Sequence, residues 1–172
     1  MEKIIQGIYI CNSCKCNKTI TTKVIIEGDD IDIFYNRTFD EAIKCCKCGH
    51  TMEKLDNEIF YAIKVLNNKG YKTRFSCAGH SLQQPAYITF LDVELMKKTI
   101  DKYGVPDRWY SENLMLVHGN TITLRSTINE FWFLIHRNVK INGKVLTYEK
   151  LHQKEINCLN KWVDKLPNIG EV

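Results

Sequence analysis

The chain has 172 residues, 44% of them hydrophobic, 26% charged and 10% aromatic, with only three prolines, a balance that excludes a disordered chain and predicts a packed core. Its formal charge of +4 falls short of the dense basic stripe that would announce a nucleic-acid binder by charge alone. No stretch approaches the roughly 18 apolar residues of a membrane span and the N-terminus has no secretory h-region, so a cytoplasmic protein with no membrane partner is expected.

Six of the eight cysteines fall within the first fifty residues. In a reducing cytosol such a cluster reads as metal ligands rather than disulfides. Residues 3–10 alternate and predict a strand running into Cys11-Asn12-Ser13-Cys14. A β-branched stretch over 19–27, the turn Gly28-Asp29-Asp30 and a second strand over 31–35 predict a hairpin leading back toward Cys45-Cys46-Lys47-Cys48-Gly49-His50. Cys11 with Cys14, and Cys45 with Cys48, have the Cys-x-x-Cys spacing that suits tetrahedral Zn2+, and the segment 1–54 is expected to be a zinc ribbon. Cys16, Cys46 and His50 are further candidate ligands, and Cys14 with Cys16 or Cys46 with Cys48 would also fit; a [2Fe–2S] centre is the alternative occupant.

From Asp56 the period becomes helical, with Ile59, Ala62, Ile63 and Leu66 on one face and Gly70 as the stop. Strands are expected over 71–76 and 86–90, then a helix capped by Asp92 with Val93, Met96 and Ile100 inward. Two more strands, 113–117 and 121–125, flank the turn His118-Gly119-Asn120. Thr127 and Glu130 have the spacing of a capping box for a helix burying Ile128, Phe131, Trp132 and Ile135, and Thr147 is placed to cap a last helix through Leu166. Trp109, Tyr110, Trp132 and Trp162 read as core or edge aromatics. The expected fold is α+β: the ribbon, then a domain over 55–172 with an αββαββ-type four-stranded sheet, helices on one face and two C-terminal helices.

The segment from Gly70 to His80 is the candidate ligand site. A strand ending in Ser76-Cys77-Ala78-Gly79-His80 places small residues, a thiol and an imidazole at a sheet's end, where backbone amides can converge on an anion. Lys72 and Arg74, at alternate positions, would add positive charge, and His118 and Arg125 would approach from the second strand pair. The same loop read blandly is a turn with a buried thiol; read otherwise, Cys77 and His80 are two ligands of a second zinc or a nucleophile and its base. His136 and Arg137 read as solvated.

With the four cysteines, Leu66-Asn67, Lys69-Gly70-Tyr71, Phe75-Ser76-Cys77-Ala78-Gly79-His80 and Tyr87-Ile88-Thr89-Phe90, residues 8–90 resemble small zinc-ribbon proteins of low-GC bacteria and their phages. Tyr71, Thr73 and Ser76-Cys77-Ala78-Gly79 are also similar to the conserved loop of the wybutosine-synthesising tRNA methyltransferase family, with His80 where that family has arginine. These resemblances imply a nucleotide-like ligand on the second domain and a phage or prophage setting. The functional expectation is a zinc-binding, non-enzymatic protein that holds an anionic nucleotide-like ligand, such as a host defence signal it sequesters. Two alternatives stand beside it: an RNA- or nucleotide-modifying enzyme, and a regulator that binds nucleic acid or a host macromolecule through the ribbon.

Overall fold

The computed structural model describes residues 2–11, 13–25, 43–116 and 119–171. The expected turn at residues 28–30, the strand over 31–35 and His118 lie outside the described residues. The chain forms two compact units, Met1–Asn57 and Glu58–Val172, and it is α+β, with antiparallel sheets in both.

In the first unit, β1 (Glu2–Ile10) pairs antiparallel with β2 (Asn17–Ile25), from Glu2 opposite Ile25 to Ile10 opposite Asn17. On its other side β1 pairs with β3 (Glu53–Leu55). The turn that joins β1 to β2 is the first Cys-x-x-Cys knuckle itself. Among the described residues this unit's core is small: Tyr9, Cys11, Cys45 and Met52 pack together, with Cys16 and Ile43 against them. Ile10 and Leu55 are also buried there.

The second unit opens with α1 (Phe60–Asn68), whose buried face is Ala62, Ile63 and Leu66. Gly70, at φ +96°, ends it: the Tyr71 amide donates to the Leu66 carbonyl at 2.9 Å and the Gly70 amide to Asn67 at 3.1 Å, the pairing of a Schellman stop. Strands β4 (Thr73–Cys77), β5 (Tyr87–Phe90), β6 (Trp109–Leu116) and β7 (Gly119–Ser126) form one antiparallel sheet in the order β4-β5-β7-β6. Between β5 and β6 runs α2 (Val93–Tyr103), capped as its sequence predicts by the Asp92 carboxylate, which accepts from the Leu95 amide at 3.0 Å.

The Thr127 to Glu130 capping box does not form. Thr127 Oγ1 instead donates to the Arg108 carbonyl at 2.9 Å, and residues Ile128–Phe131 make a 3-10 turn before the short α3 (Trp132–His136). Three residues per turn instead of 3.6 shifts the phase of the apolar face. Phe131 and Ile135 still pack on Ile128, Leu82 and Leu151, whereas Trp132 is 46% exposed, at the edge of this cluster rather than in its core.

A two-stranded hairpin, β8 (Lys140–Ile141) and β9 (Lys144–Val145), leads into α4 (Tyr148–Lys165). Thr147 caps α4 by accepting from the Lys150 amide. The helix buries Leu151, Ile156, Leu159, Trp162 and Val163, and with them one carboxylate, Glu155. Its partners tie α4 to the sheet: Ser126 on β7 donates to Glu155 Oε2, Arg108 Nε stands 3.6 Å from Oε1, and the Trp109 indole donates to the Glu155 carbonyl at 2.9 Å. Burial, only partly offset by Ser126 and Arg108, raises the Glu155 pKa above its ordinary value. No helix among the described residues is long and apolar enough to cross a membrane.

Candidate metal centre

Two turns of the same construction carry the N-terminal cysteines. In the first, the Cys11 carbonyl accepts from the Lys15 amide at 2.8 Å and the Cys11 amide donates to the Cys16 carbonyl at 2.9 Å. In the second, the Cys45 carbonyl accepts from Gly49 at 2.9 Å and the Cys45 amide donates to His50 at 2.9 Å. Lys15 and Gly49 both take a left-handed conformation, at φ +60° and +73°. The repeat superposes Cys11 on Cys45, Cys14 on Cys48 and Cys16 on His50 by position.

The sulfurs of Cys11, Cys14, Cys45 and Cys48 all lie within 4.8 Å of one another, close enough to hold a metal ion. Cys11 Sγ is 3.4 Å from Cys48 Sγ and Cys14 Sγ is 3.5 Å from Cys45 Sγ, contacts that cross from one knuckle to the other. Cys11 and Cys45 are buried and Cys14 and Cys48 exposed, which opens the cluster on one side. The two residues at the matching fifth position touch the cluster from outside: Cys16 Sγ is 3.3 Å from Cys14 and 3.1 Å from Cys45, and His50 Nδ1 is 3.4 Å from Cys48. Cys46 is exposed on the second turn. The hydrogen bond from Cys16 is the largest influence holding Cys45 down to about 6, and the same contact pushes Cys16 up to about 12. Cys48 is likewise pushed up to about 12, so the neighbouring sulfurs share protons, and a metal bound there would displace the protons of all four ligands.

The candidate ligand residues of the second unit are distributed as follows. Lys72 is exposed and precedes β4, and Arg74 follows Thr73 on β4, where the register shifts between Thr73 and Ser76. Arg74 lies over the Phe75 ring at 5.1 Å. Ser76 is opposite Ile88 and Cys77 opposite Tyr87. Gly79, at φ +83°, is packed so tightly that a Cβ would stand 2.7 Å from the Ala86 nitrogen. Its amide donates to Cys77 Sγ at 3.4 Å and the His80 amide donates to Gln84 at 3.1 Å. These amides are therefore engaged within the loop rather than converging on an anion. His80 Nε2 sits 3.4 Å from Cys77 Sγ, a geometry that lets the imidazole take the thiol's proton.

Arg125 reaches the same side of the sheet. It is opposite Tyr87 on one neighbour and Tyr110 on the other, so Cys77, Tyr87, Arg125 and Tyr110 form one in-register row across all four strands. The guanidinium lies 5.5 Å from the centre of the Tyr87 ring and its Nε donates to Glu112 Oε2 at 3.2 Å. Sequence reasoning passed over Glu112, read Tyr110 only as a core or edge aromatic and gave Tyr87 no ligand role; these residues stand one strand (Tyr87) and three strands (Tyr110, Glu112) from β4 in the sheet. It also missed Tyr148 and His152, stacked on α4 at 5.3 Å; burial raises the Tyr148 pKa, with Cys77 adding to it, and burial lowers that of His152, against a smaller opposing effect of Glu58.

Comparison with protein-family models, curated proteins and solved structures gave no significant match.

Proposed function

We propose that this chain is a zinc-stapled binding protein for an anionic, nucleotide-like ligand. The zinc reading is supported by the donor set. Zn–S bonds near 2.3 Å in a tetrahedron put the sulfurs about 3.8 Å apart, and the cross-knuckle separations of 3.4 and 3.5 Å need only a small expansion to reach that. Thiolates are soft donors that zinc accepts and that hard cations such as magnesium do not. Cys11, Cys14, Cys45 and Cys48 would hold the ion, which would supply the cross-link that the small N-terminal core lacks.

The observation that carries the ligand reading is the row of Cys77, Tyr87, Arg125 and Tyr110. With strands about 4.8 Å apart, three spacings give a strip about 14 Å long, with a guanidinium flanked by two phenol rings. Rings of this kind stack on a base, and a guanidinium whose Nε serves Glu112 still has further N–H donors for a phosphate. Lys72, Arg74, Ser76 and His80, on β4 or next to it, complete the proposed set of ligand residues. Native mass spectrometry of protein purified from cells without chelator, followed by calorimetric titration with mononucleotides, tests both parts. One zinc per chain, and a nucleotide affinity lost in Arg125→Gln and Tyr87→Ala, are the expected results. Absence of any nucleotide binding overturns the ligand reading, and absence of metal overturns the staple.

The pair of Cys77 and His80 supports a second reading, an enzyme acting on RNA or a nucleotide with Cys77 as nucleophile. It predicts saturable S-adenosylmethionine or RNA binding that Cys77→Ala or His80→Ala abolishes.

A further inference from the structure

The outward face of α3 and the hairpin after it gather exposed apolar side chains. Trp132 is 46% exposed, Phe133 52% and Ile141 51%, three large apolar side chains within ten residues. Each exposed ring is paired one helical turn on with a group able to carry positive charge. The rings of Trp132 and His136 stack at 4.2 Å, and the Arg137 guanidinium lies 4.0 Å from the centre of the Phe133 ring. Each pair spans one turn, residues four apart sharing a stripe of the helix.

The hairpin continues the same character. Its strands set Ile141 opposite Lys144, and Lys140 is also exposed. Hydrogen bonds from the Val139 amide to the Leu134 carbonyl at 3.1 Å and from Leu146 to Val139 at 3.0 Å fasten the hairpin to the helix. From Phe131 to Tyr148 the sequence contains three basic residues and no acidic one, although the whole chain has nearly as many acids as bases. The segment is thus a local concentration of one sign of charge with flat rings set into it.

We propose that α3 and the β8–β9 hairpin form a docking surface for single-stranded nucleic acid. Bases would stack on the open faces of Trp132 and Phe133, with Arg137, Lys140 and Lys144 receiving the phosphates. Such binding combines exactly these two contributions: ring stacking tolerant of sequence, and a positive track along the backbone. Charge complementarity names an anionic partner. Flat rings set beside cations match the paired chemistry of a nucleic acid, bases that stack and phosphates that take a positive charge. The proposal uses none of the residues of the sheet row and stands or falls apart from it.

Fluorescence anisotropy of the full chain, as purified, with a labelled oligothymidylate of about 15 nucleotides, within the site sizes of such surfaces, tests it. Saturable binding is expected, with log affinity falling linearly against log salt. Trp132→Ala and Phe133→Ala should each weaken it about ten-fold, and Arg137→Gln should lower the salt slope by about one phosphate contact. Should either ring variant lose its fold by circular dichroism, Lys144→Glu on the exposed hairpin reads the same surface and is expected to weaken binding too. No saturable binding, binding untouched by these variants, or a preference for phosphatidylglycerol vesicles over the oligonucleotide would overturn the proposal.

Discussion

Cys16 and His50 stand at the same position in two turns built alike, each accepting through its carbonyl from the amide of the first cysteine of its knuckle at 2.9 Å. The equivalence sorts five sulfurs and one imidazole into those that close the four-sulfur cluster and those, Cys16 and His50, that touch it from outside, and Cys46 stands exposed on the second turn. Cys11→Ser and Cys48→Ser should therefore abolish stoichiometric metal binding. Cys16→Ala and His50→Ala should retain one metal per chain and lower its affinity by about ten- to a hundred-fold, the usual effect of removing a group that hydrogen-bonds a ligand. Metal-to-protein ratio and the charge-transfer spectrum of the cobalt-substituted protein read both outcomes.

The same equivalence makes opposite predictions for the fourth residue after each leading cysteine. Gly49 has open space where a Cβ would go, so Gly49→Ala meets only the conformational penalty of the left-handed region, about 1 kcal/mol. Lys15 already bears that penalty at φ +60°. Lys15→Gly should stabilise the metal-loaded protein, by less than about 1 kcal/mol because glycine also gains freedom in the unfolded chain. Chemical denaturation of the two variants beside the parent measures the sign of each.

Lys69 closes the far end of the longest helix. Its Nζ donates to the carbonyls of Val163 and Asp164 at 2.8 Å and of Leu166 at 2.5 Å, groups that have no partner within α4 and stand at the negative end of its dipole. Lys69→Met, which keeps the length of the side chain, should destabilise the protein by about 2 kcal/mol, in the range for hydrogen bonds to a charged donor. Urea denaturation gives the magnitude. Accelerated amide exchange should be confined at first to the last turn of α4.

Glu155 links stability to pH. Its pKa is raised from an ordinary 4.5 chiefly by burial, so the folded protein binds this proton more tightly than the unfolded chain does. That contribution is complete below the ordinary value and is lost as pH rises through the raised one. Thermal stability should accordingly decline over this window as pH increases. Glu155→Gln, which keeps the shape and can still accept from Ser126, should flatten the decline. A variant with the same slope as the parent would assign the dependence to other groups.

Much of this molecule is written locally. The Cys-x-x-Cys spacing brings paired thiols onto tight turns, Gly70, Asp92 and Thr147 stop or start helices through bonds to residues within five positions, and the periodicity of α1, α2 and α4 follows from which side chains avoid water. These features depend on neighbours along the chain, and sequence is sufficient for them. What it could not supply depends on partners distant in the chain. Thr127 had the spacing of a capping residue, yet its hydroxyl went to the Arg108 carbonyl, and the 3-10 turn that resulted carried Trp132 to the surface. Arg125 joins the row of Cys77 only because β5 pairs with β7 rather than β6, and the amides of the 78–86 loop are taken by Cys77 and Gln84. Choosing among six nearby cysteines also required tertiary contact, since spacing alone admits several pairs and only the meeting of two turns brings four sulfurs within 4.8 Å. Local bonding and burial are properties of a segment, whereas a site is a coincidence of segments, and its geometry exists only once the chain has closed upon itself.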